Sequence, residues 1–150
     1  LLIENIPEFV LMNGYGDCGT MGLAFITLCR ALGIPAKWQS GSACYPDSIG
    51  SHDWAMFHIA PYGWLYCDPS YGEGAARAGN EVRRDHYFAN LDPFRLVASN
   101  ECQQPLTPDK AFCRMDPYDN QSGEAEYNDE NIFFEDRDCG RRVVFAEEIE

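Results

Sequence analysis

Three residues in the first half of the chain have the types and spacing of a thiol-based acyl-transfer site: Cys18, His52 and Asp68. A thiol attacks a carbonyl carbon only as the thiolate, which a helix N-terminus favours because its backbone dipoles stabilise negative charge. A histidine can hold or take the thiol proton. A carboxylate that accepts the other imidazole N–H fixes the tautomer of the ring. We therefore predict Cys18 as the nucleophile, His52 as its base and Asp68 as the residue that orients the histidine.

The segment that follows Cys18 is the most strongly periodic of the chain. Its apolar residues recur at helical spacing, at Met21, Ala24, Phe25, Leu28 and Leu32, and Gly33 and Pro35 predict the end of the helix. Asp17 is of a residue type that caps helix N-termini. This pattern predicts that Cys18 lies in the first turn.

Short strand-like runs come next, at 36–41, 54–59 and 64–67. The Pro61-Tyr62-Gly63 sequence separates the last two and predicts a β-hairpin. Antiparallel pairing brings the start of one strand to the end of its neighbour, so His52, Asp68 and Cys18 are expected to meet at one end of a sheet. A helix followed by antiparallel strands predicts an α+β fold.

The hairpin has two possible registers. A hairpin centred near Ala60 places His52 opposite Asp68, with both side chains on one face. A turn centred on Pro61 and Tyr62 shifts the pairing and requires a bulge. We favour the first register, or a bulge.

The remaining segments carry weaker signals. Gly72, Gly74 and Gly79 predict a loop, 87–97 is an apolar segment, and 142–146 is strand-like. We interpret residues 1–150 as a single domain, with its core motifs in 14–72, and as a piece of a longer protein. We predict a solvated loop for the acidic stretch 116–138, because it lacks the ligand spacing of a calcium loop.

Composition excludes some classes of partner. The formal net charge of −13 argues against binding to nucleic acids or to anionic membranes, because phosphates would be repelled. No apolar run is long enough to insert in a bilayer. The seven cysteines form no CxxC motif, so no zinc site is predicted. Their oxidation state and the compartment stay open, with an exported or cell-surface parent favoured.

Other residues compete for roles in the site. His58 lies on the same face of its strand as His52, and Asp53 is an alternative orienting residue that points to the other face. The Cys18 N–H is expected to hold an oxyanion, with a second donor from Asn13 or Tyr15. Trp54 is a candidate wall of the substrate groove.

The three motifs together resemble the transglutaminase-like superfamily. They are Gly16-Asp17-Cys18-Gly19 with the helix that ends Cys29-Arg30-Ala31-Leu32-Gly33-Ile34-Pro35-Ala36, then His52-Asp53-Trp54, then Gly63-Trp64-Leu65-Tyr66-Cys67-Asp68-Pro69. They occur in the superfamily's order, Cys then His then Asp. The first and third are also similar to peptide N-glycanase, although the paired CxxC motifs of that enzyme are missing.

The resemblance implies a papain-like fold, in which a central helix packs on a small antiparallel sheet. It also implies acyl transfer through a thioester at Cys18, with no cofactor and with a protein or peptide substrate. Three functions follow: amide or peptide hydrolysis, cross-linking of protein glutamines to amines, or binding by an inactive relative. The complete set of Cys, His and Asp argues against the last. The oligomeric state stays open.

Overall fold

The computed structural model describes residues 3–116, 118–119, 121–138, 140–145 and 147. The predicted α+β class is confirmed, with helices packed on a four-stranded antiparallel sheet of order β3-β2-β1-β4. In chain order the elements are α1 Ile6–Asn13, α2 Cys18–Ala31, β1 Ala36–Tyr45, β2 Ser48–Ile59, β3 Gly63–Cys67, α3 Pro69–Arg77, α4 Glu81–His86, β4 Arg95–Ser99, β5 Ala125–Glu126, β6 Asn131–Ile132 and a 3-10 turn Phe134–Asp136. No helix among the described residues is long and apolar enough to cross a membrane.

Helix α2 begins at Cys18, as the sequence predicts. The Asp17 carboxylate accepts the N–H of Thr20 at 2.7 Å, and the Thr20 hydroxyl accepts the N–H of Asp17 at 2.9 Å. This reciprocal pair satisfies two backbone donors that the first turn would leave without partners. At the other end Gly33 has a φ of 76°, a left-handed conformation that glycine adopts readily and that ends the helix.

The core forms where α2 packs on one face of the sheet. That face carries Trp38 of β1 with Ala55 and Phe57 of β2, all at most 5% exposed. Gly19 and Gly22 let the helix approach the Trp38 ring, because a Cβ at either position would lie within 3.6 Å of it. This packing decides that the odd-numbered residues of β2 face α2.

The β2–β3 hairpin adopts a register different from the one we favoured. Ile59 pairs with Gly63 and Ala55 with Cys67, so the hairpin is centred on Pro61 and the register is shifted by two residues without a bulge. A shift of two residues keeps every side chain on its original face. His52 and Asp68 therefore share a face as diagonal neighbours instead of lying directly opposite each other.

The predicted loop after Asp68 is a helix. The Asp68 side chain caps α3 by accepting the Tyr71 N–H at 3.0 Å, and Pro69 occupies the first turn, where its missing N–H costs nothing. The sequence pattern did not predict this helix because Gly72 and Gly74 have low helix propensity.

The strand predicted at 142–146 does not form over its described part. Residues 142–145 are irregular, and Ala146 lies outside the described residues. The edges of the four-stranded sheet are β3 and β4, and residues 142–145 are not part of either strand.

Gly41 of β1 lies against the backbone of β4, and this contact gives a test of the fold. A Cβ at Gly41 would lie 1.8 Å from the backbone oxygen of Leu96, so Gly41→Ala must displace β4. We expect the free energy of unfolding in urea to fall by about 2 kcal/mol. The control is Gly50→Ala in β2, where a Cβ meets nothing within 4 Å and the change should stay within about 0.5 kcal/mol. Equal effects of the two variants would contradict this packing.

Candidate active site

The predicted site residues form two clusters on opposite faces of β2. Asp53 faces α2 and contacts Cys18, whereas His52 faces the other way and contacts Asp68. Neighbouring residues of a strand point to opposite faces, and the β1–β2 pairing is regular through both positions.

The Cys18 cluster borders a cavity of about 320 Å³. The helix N-terminus forms one side of it, and β1 and β2 contribute Trp38, Ser51 and Asp53. Ile3, Ile6 and Leu23 provide an apolar wall, and Tyr118, Asp119 and Gln121 close the remaining side. The cavity thus combines a thiol, a carboxylate and an apolar surface.

The Cys18 thiol donates a hydrogen bond to Asp53 Oδ2 at 3.4 Å. Burial, reinforced by the negative charges of Asp53 and Asp17, raises the pKa of the thiol to about 12. The thiol in this arrangement is protonated, and the favourable helix dipole is outweighed. Burial also raises the pKa of Asp53 to about 6. Near neutral pH, Asp53 is therefore the acceptor in contact with the thiol.

A segment from the acidic C-terminal region covers this cluster. The Gln121 side-chain amide donates to Asp53 Oδ1 at 2.6 Å and to the backbone oxygen of His52 at 2.9 Å. The Ser40 hydroxyl donates to the backbone oxygen of Asp119 at 3.1 Å, and Arg141 joins Ser51 of β2 to the backbone oxygen of Gln121. These contacts hold Gln121 at the cavity that Cys18 also lines.

The second cluster consists of His52, Asp68 and Arg95, whose side chains are all buried. His52 Nε2 lies 2.7 Å from Asp68 Oδ2, and the same oxygen lies 2.9 Å from Nη1 of Arg95. The His52 ring packs against Tyr71 with a centroid separation of 4.3 Å. Burial alone would raise the pKa of Asp68. The net effect is a lowered pKa, because the carboxylate is stabilised by the hydrogen bond and charge of His52, by the Tyr71 N–H and by the charge of Arg95.

The structure brings together two of the three predicted catalytic residues. His52 and Asp68 pair, but Cys18 lies across the sheet from them, because α2 packs on the face of β2 that carries residue 53 rather than residue 52. Asp53 was predicted to point away from His52, and it does. What the strand pattern could not decide is which of the two faces receives the helix.

The residues predicted to bind substrate lie outside the cavity. Asn13 donates its side-chain amide to the backbone oxygen of Phe9, and Tyr15 packs edge-on against the Phe9 ring. Trp54 is fully buried on the His52 face and donates its indole N–H to Gln39 at 2.6 Å. The contacts with Phe9 hold Asn13 and Tyr15 away from the thiol, and Trp54 is buried on the other face of β2.

Sequence reasoning missed Trp38 and Gln121. Trp38 lines the cavity, is 4% exposed, and its indole N–H has no hydrogen-bond partner in the described part of the chain. An unpaired buried donor is unusual enough to require an explanation. The sequence pattern around Trp38 predicts only an apolar strand residue, and Gln121 is too far from Cys18 in the sequence for a local pattern to connect them.

Within the described ranges, no three His, Cys, Asp or Glu residues are grouped to hold a metal ion.

Comparison with known families places this geometry in context. Residues 4–69 match the family model of the transglutaminase-like superfamily, a segment that contains Cys18, His52 and Asp68. This match supports the superfamily predicted from the three motifs. Comparison with curated proteins gave no significant match, and neither did comparison with solved structures.

The buried Asp68 carboxylate should contribute strongly to stability. Asp68→Asn removes the fully buried carboxylate beside Arg95, which then keeps only its ion pair with Asp92, and we expect a loss of about 3 kcal/mol in the free energy of unfolding. Glu73→Gln is the control, because it removes an ion pair with Arg77 whose side chains are 37% and 68% exposed. That variant should cost less than about 1 kcal/mol in the same urea titration. A comparable loss in both variants would mean that the Asp68 network does not stabilise the fold.

Asp53 gives a pH-dependent prediction. Its folded pKa of about 6 exceeds the ordinary value of 3.8, so the unfolded chain releases this proton first and stability falls as pH rises from about 4 to about 6. Asp53→Asn has no carboxyl group at this position and does not lose this stability. Its free energy of unfolding minus that of wild type should therefore increase by about 3 kcal/mol as pH rises across that range. Asp47→Asn, in the exposed β1–β2 turn, is the control. A stability difference between Asp53→Asn and wild type that does not change with pH would refute the assignment.

Proposed function

We propose that this domain catalyses thiol-dependent acyl transfer or amide hydrolysis through a thioester at Cys18. The observation that carries the proposal is the Cys18 thiol itself, placed at the first residue of α2, facing a cavity and hydrogen-bonded to a carboxylate. The transglutaminase-like core supports the same class of chemistry.

The proposed reaction begins with attack of Cys18 Sγ on a carboxamide or peptide carbonyl carbon. The thiol proton moves to an acceptor and from there to the leaving nitrogen, which departs as ammonia or an amine. The Cys18 N–H lies in the first helical turn, has no intrahelical acceptor and supports the oxyanion. Water or an amine then resolves the thioester.

Two groups compete for the role of proton acceptor. Asp53 touches the thiol, and we propose it as the acceptor in the arrangement described here. His52, oriented by Asp68, is the acceptor that the sequence predicts, but it would reach Cys18 only if β2 slipped by one residue and exchanged its faces. These two routes make different predictions for variants at neighbouring positions.

Hydrolysis and cross-linking share the same thioester and differ in the group that resolves it. A glutamine-containing peptide tests both outcomes, through release of ammonia and through incorporation of a labelled primary amine. The assay should include Gln121→Ala, since the Gln121 side chain covers Asp53 in the resting arrangement. If the alternative of an inactive binding domain holds, neither product forms in either protein.

We expect Cys18→Ala to abolish both products, and Cys113→Ala, at an exposed cysteine, to leave them unchanged. Asp53→Asn should lower kcat by about a hundredfold or more, the usual contribution of a positioned proton acceptor. His52→Gln should retain more activity than Asp53→Asn. The reverse order, with both variants folded, would assign the proton to His52. Activity that survives Cys18→Ala would refute the proposed function.

A further inference from the structure

One carboxylate is shared by the nucleophile and a carboxamide of the same chain. Asp53 Oδ2 accepts the thiol of Cys18 at 3.4 Å, and Asp53 Oδ1 accepts the side-chain N–H of Gln121 at 2.6 Å. Among the described residues that line the cavity, Gln121 is the only carboxamide. A carboxamide is the kind of acyl group that the proposed chemistry attacks.

We propose that Gln121 is an intramolecular acyl donor and that Cys18 and Gln121 form an internal thioester. This inference rests on the proposed function, because it uses the same nucleophile. It adds a modification site that joins α2 to the C-terminal segment, and it makes the domain itself the acyl donor to an attacking amine.

The step balances without a co-reactant. Cys18 Sγ attacks Gln121 Cδ, and the thiol proton passes to Asp53. The same carboxyl group then returns that proton to Gln121 Nε2, the C–N bond breaks, and ammonia leaves. The product is an Sγ–Cδ bond with the carbonyl retained, and nothing is oxidised or reduced. Asp53 is suited to this transfer because its two oxygens already contact the group that loses the proton and the group that gains it.

The surrounding contacts hold the two reacting groups together. Arg141 donates to the Ser51 hydroxyl at 2.9 Å and also to the backbone oxygen of Gln121, which fixes the segment to β2. The Gln121 side chain makes its second hydrogen bond to the backbone of His52. Well-oriented intramolecular reactions reach effective molarities of about 10⁵ M or more.

The test is the intact mass of the full chain and its reaction with methylamine. We expect wild type to lack the mass of one ammonia molecule, and peptide mapping to find Cys18 joined to Gln121. Methylamine should open the thioester, leaving a free Cys18 thiol and an N-methylated Gln121 side chain. Cys18→Ala and Gln121→Ala should each have the full sequence mass and no methylamine adduct.

Two controls separate this product from other losses of ammonia. Gln104→Ala, at an exposed glutamine that does not line the cavity, should keep the thioester. Cyclisation at Asn13-Gly14 also releases ammonia, but it would persist in Cys18→Ala and Gln121→Ala. A loss of ammonia in wild type that is no larger than the loss in those two variants therefore overturns the proposal.

The proposed function and this inference fail in different ways. A full-mass wild type whose Cys18 still acylates with an external glutamine peptide overturns the internal thioester and leaves the function standing. A full-mass wild type in which neither wild type nor Gln121→Ala acylates overturns both. A mass loss that Asp53→Asn prevents, while Asp47→Asn keeps it, supports the shared carboxylate as the proton carrier.

Discussion

The packing of α2 on the odd-numbered face of β2 is the constraint on which the site depends. Trp38, Ala55 and Phe57 are buried against the helix, and their removal from water fixes which face α2 covers. Because strand side chains alternate with a period of two, this choice also decides that Asp53 and not His52 meets the helix N-terminus. The chemistry available to Cys18 therefore follows from apolar packing two to four residues further along the same strand.

Asp68 links three parts of the structure through a single carboxylate. It caps α3, pairs with His52 on β2, and neutralises Arg95 at the start of β4. A buried carboxylate is tolerated only with such a set of partners, and its lowered pKa shows that they outweigh the cost of burial. In the described arrangement this cluster lies on the face of β2 opposite the Cys18 cavity, where Asp53 contacts both Cys18 and Gln121.

Sequence patterns were most informative where local and apolar signals agree. The Asp17 cap, the start of α2 at Cys18 and the three strands of the hairpin region followed from spacing, and the motifs predicted the superfamily whose model matches residues 4–69. The diagonal pairing of His52 with Asp68 needed the exact turn centre, which a two-residue ambiguity around Pro61 obscured. Helix α3 was hidden by its glycines, and Gln121 reaches the site only through tertiary contacts.

Part of the excess negative charge of the chain is concentrated at the cavity. Asp17, Asp53 and Asp119 all line it. Burial raises the pKa of Asp53 and of Asp119, so a further negative charge there is unfavourable. The covering segment approaches with a neutral carboxamide, and the cation that holds it, Arg141, binds the backbone of Gln121 and the Ser51 hydroxyl instead of the carboxylates. A glutamate at position 121 would bring another charge against Asp53. The acidic surroundings therefore favour an uncharged group at this position beside Asp53.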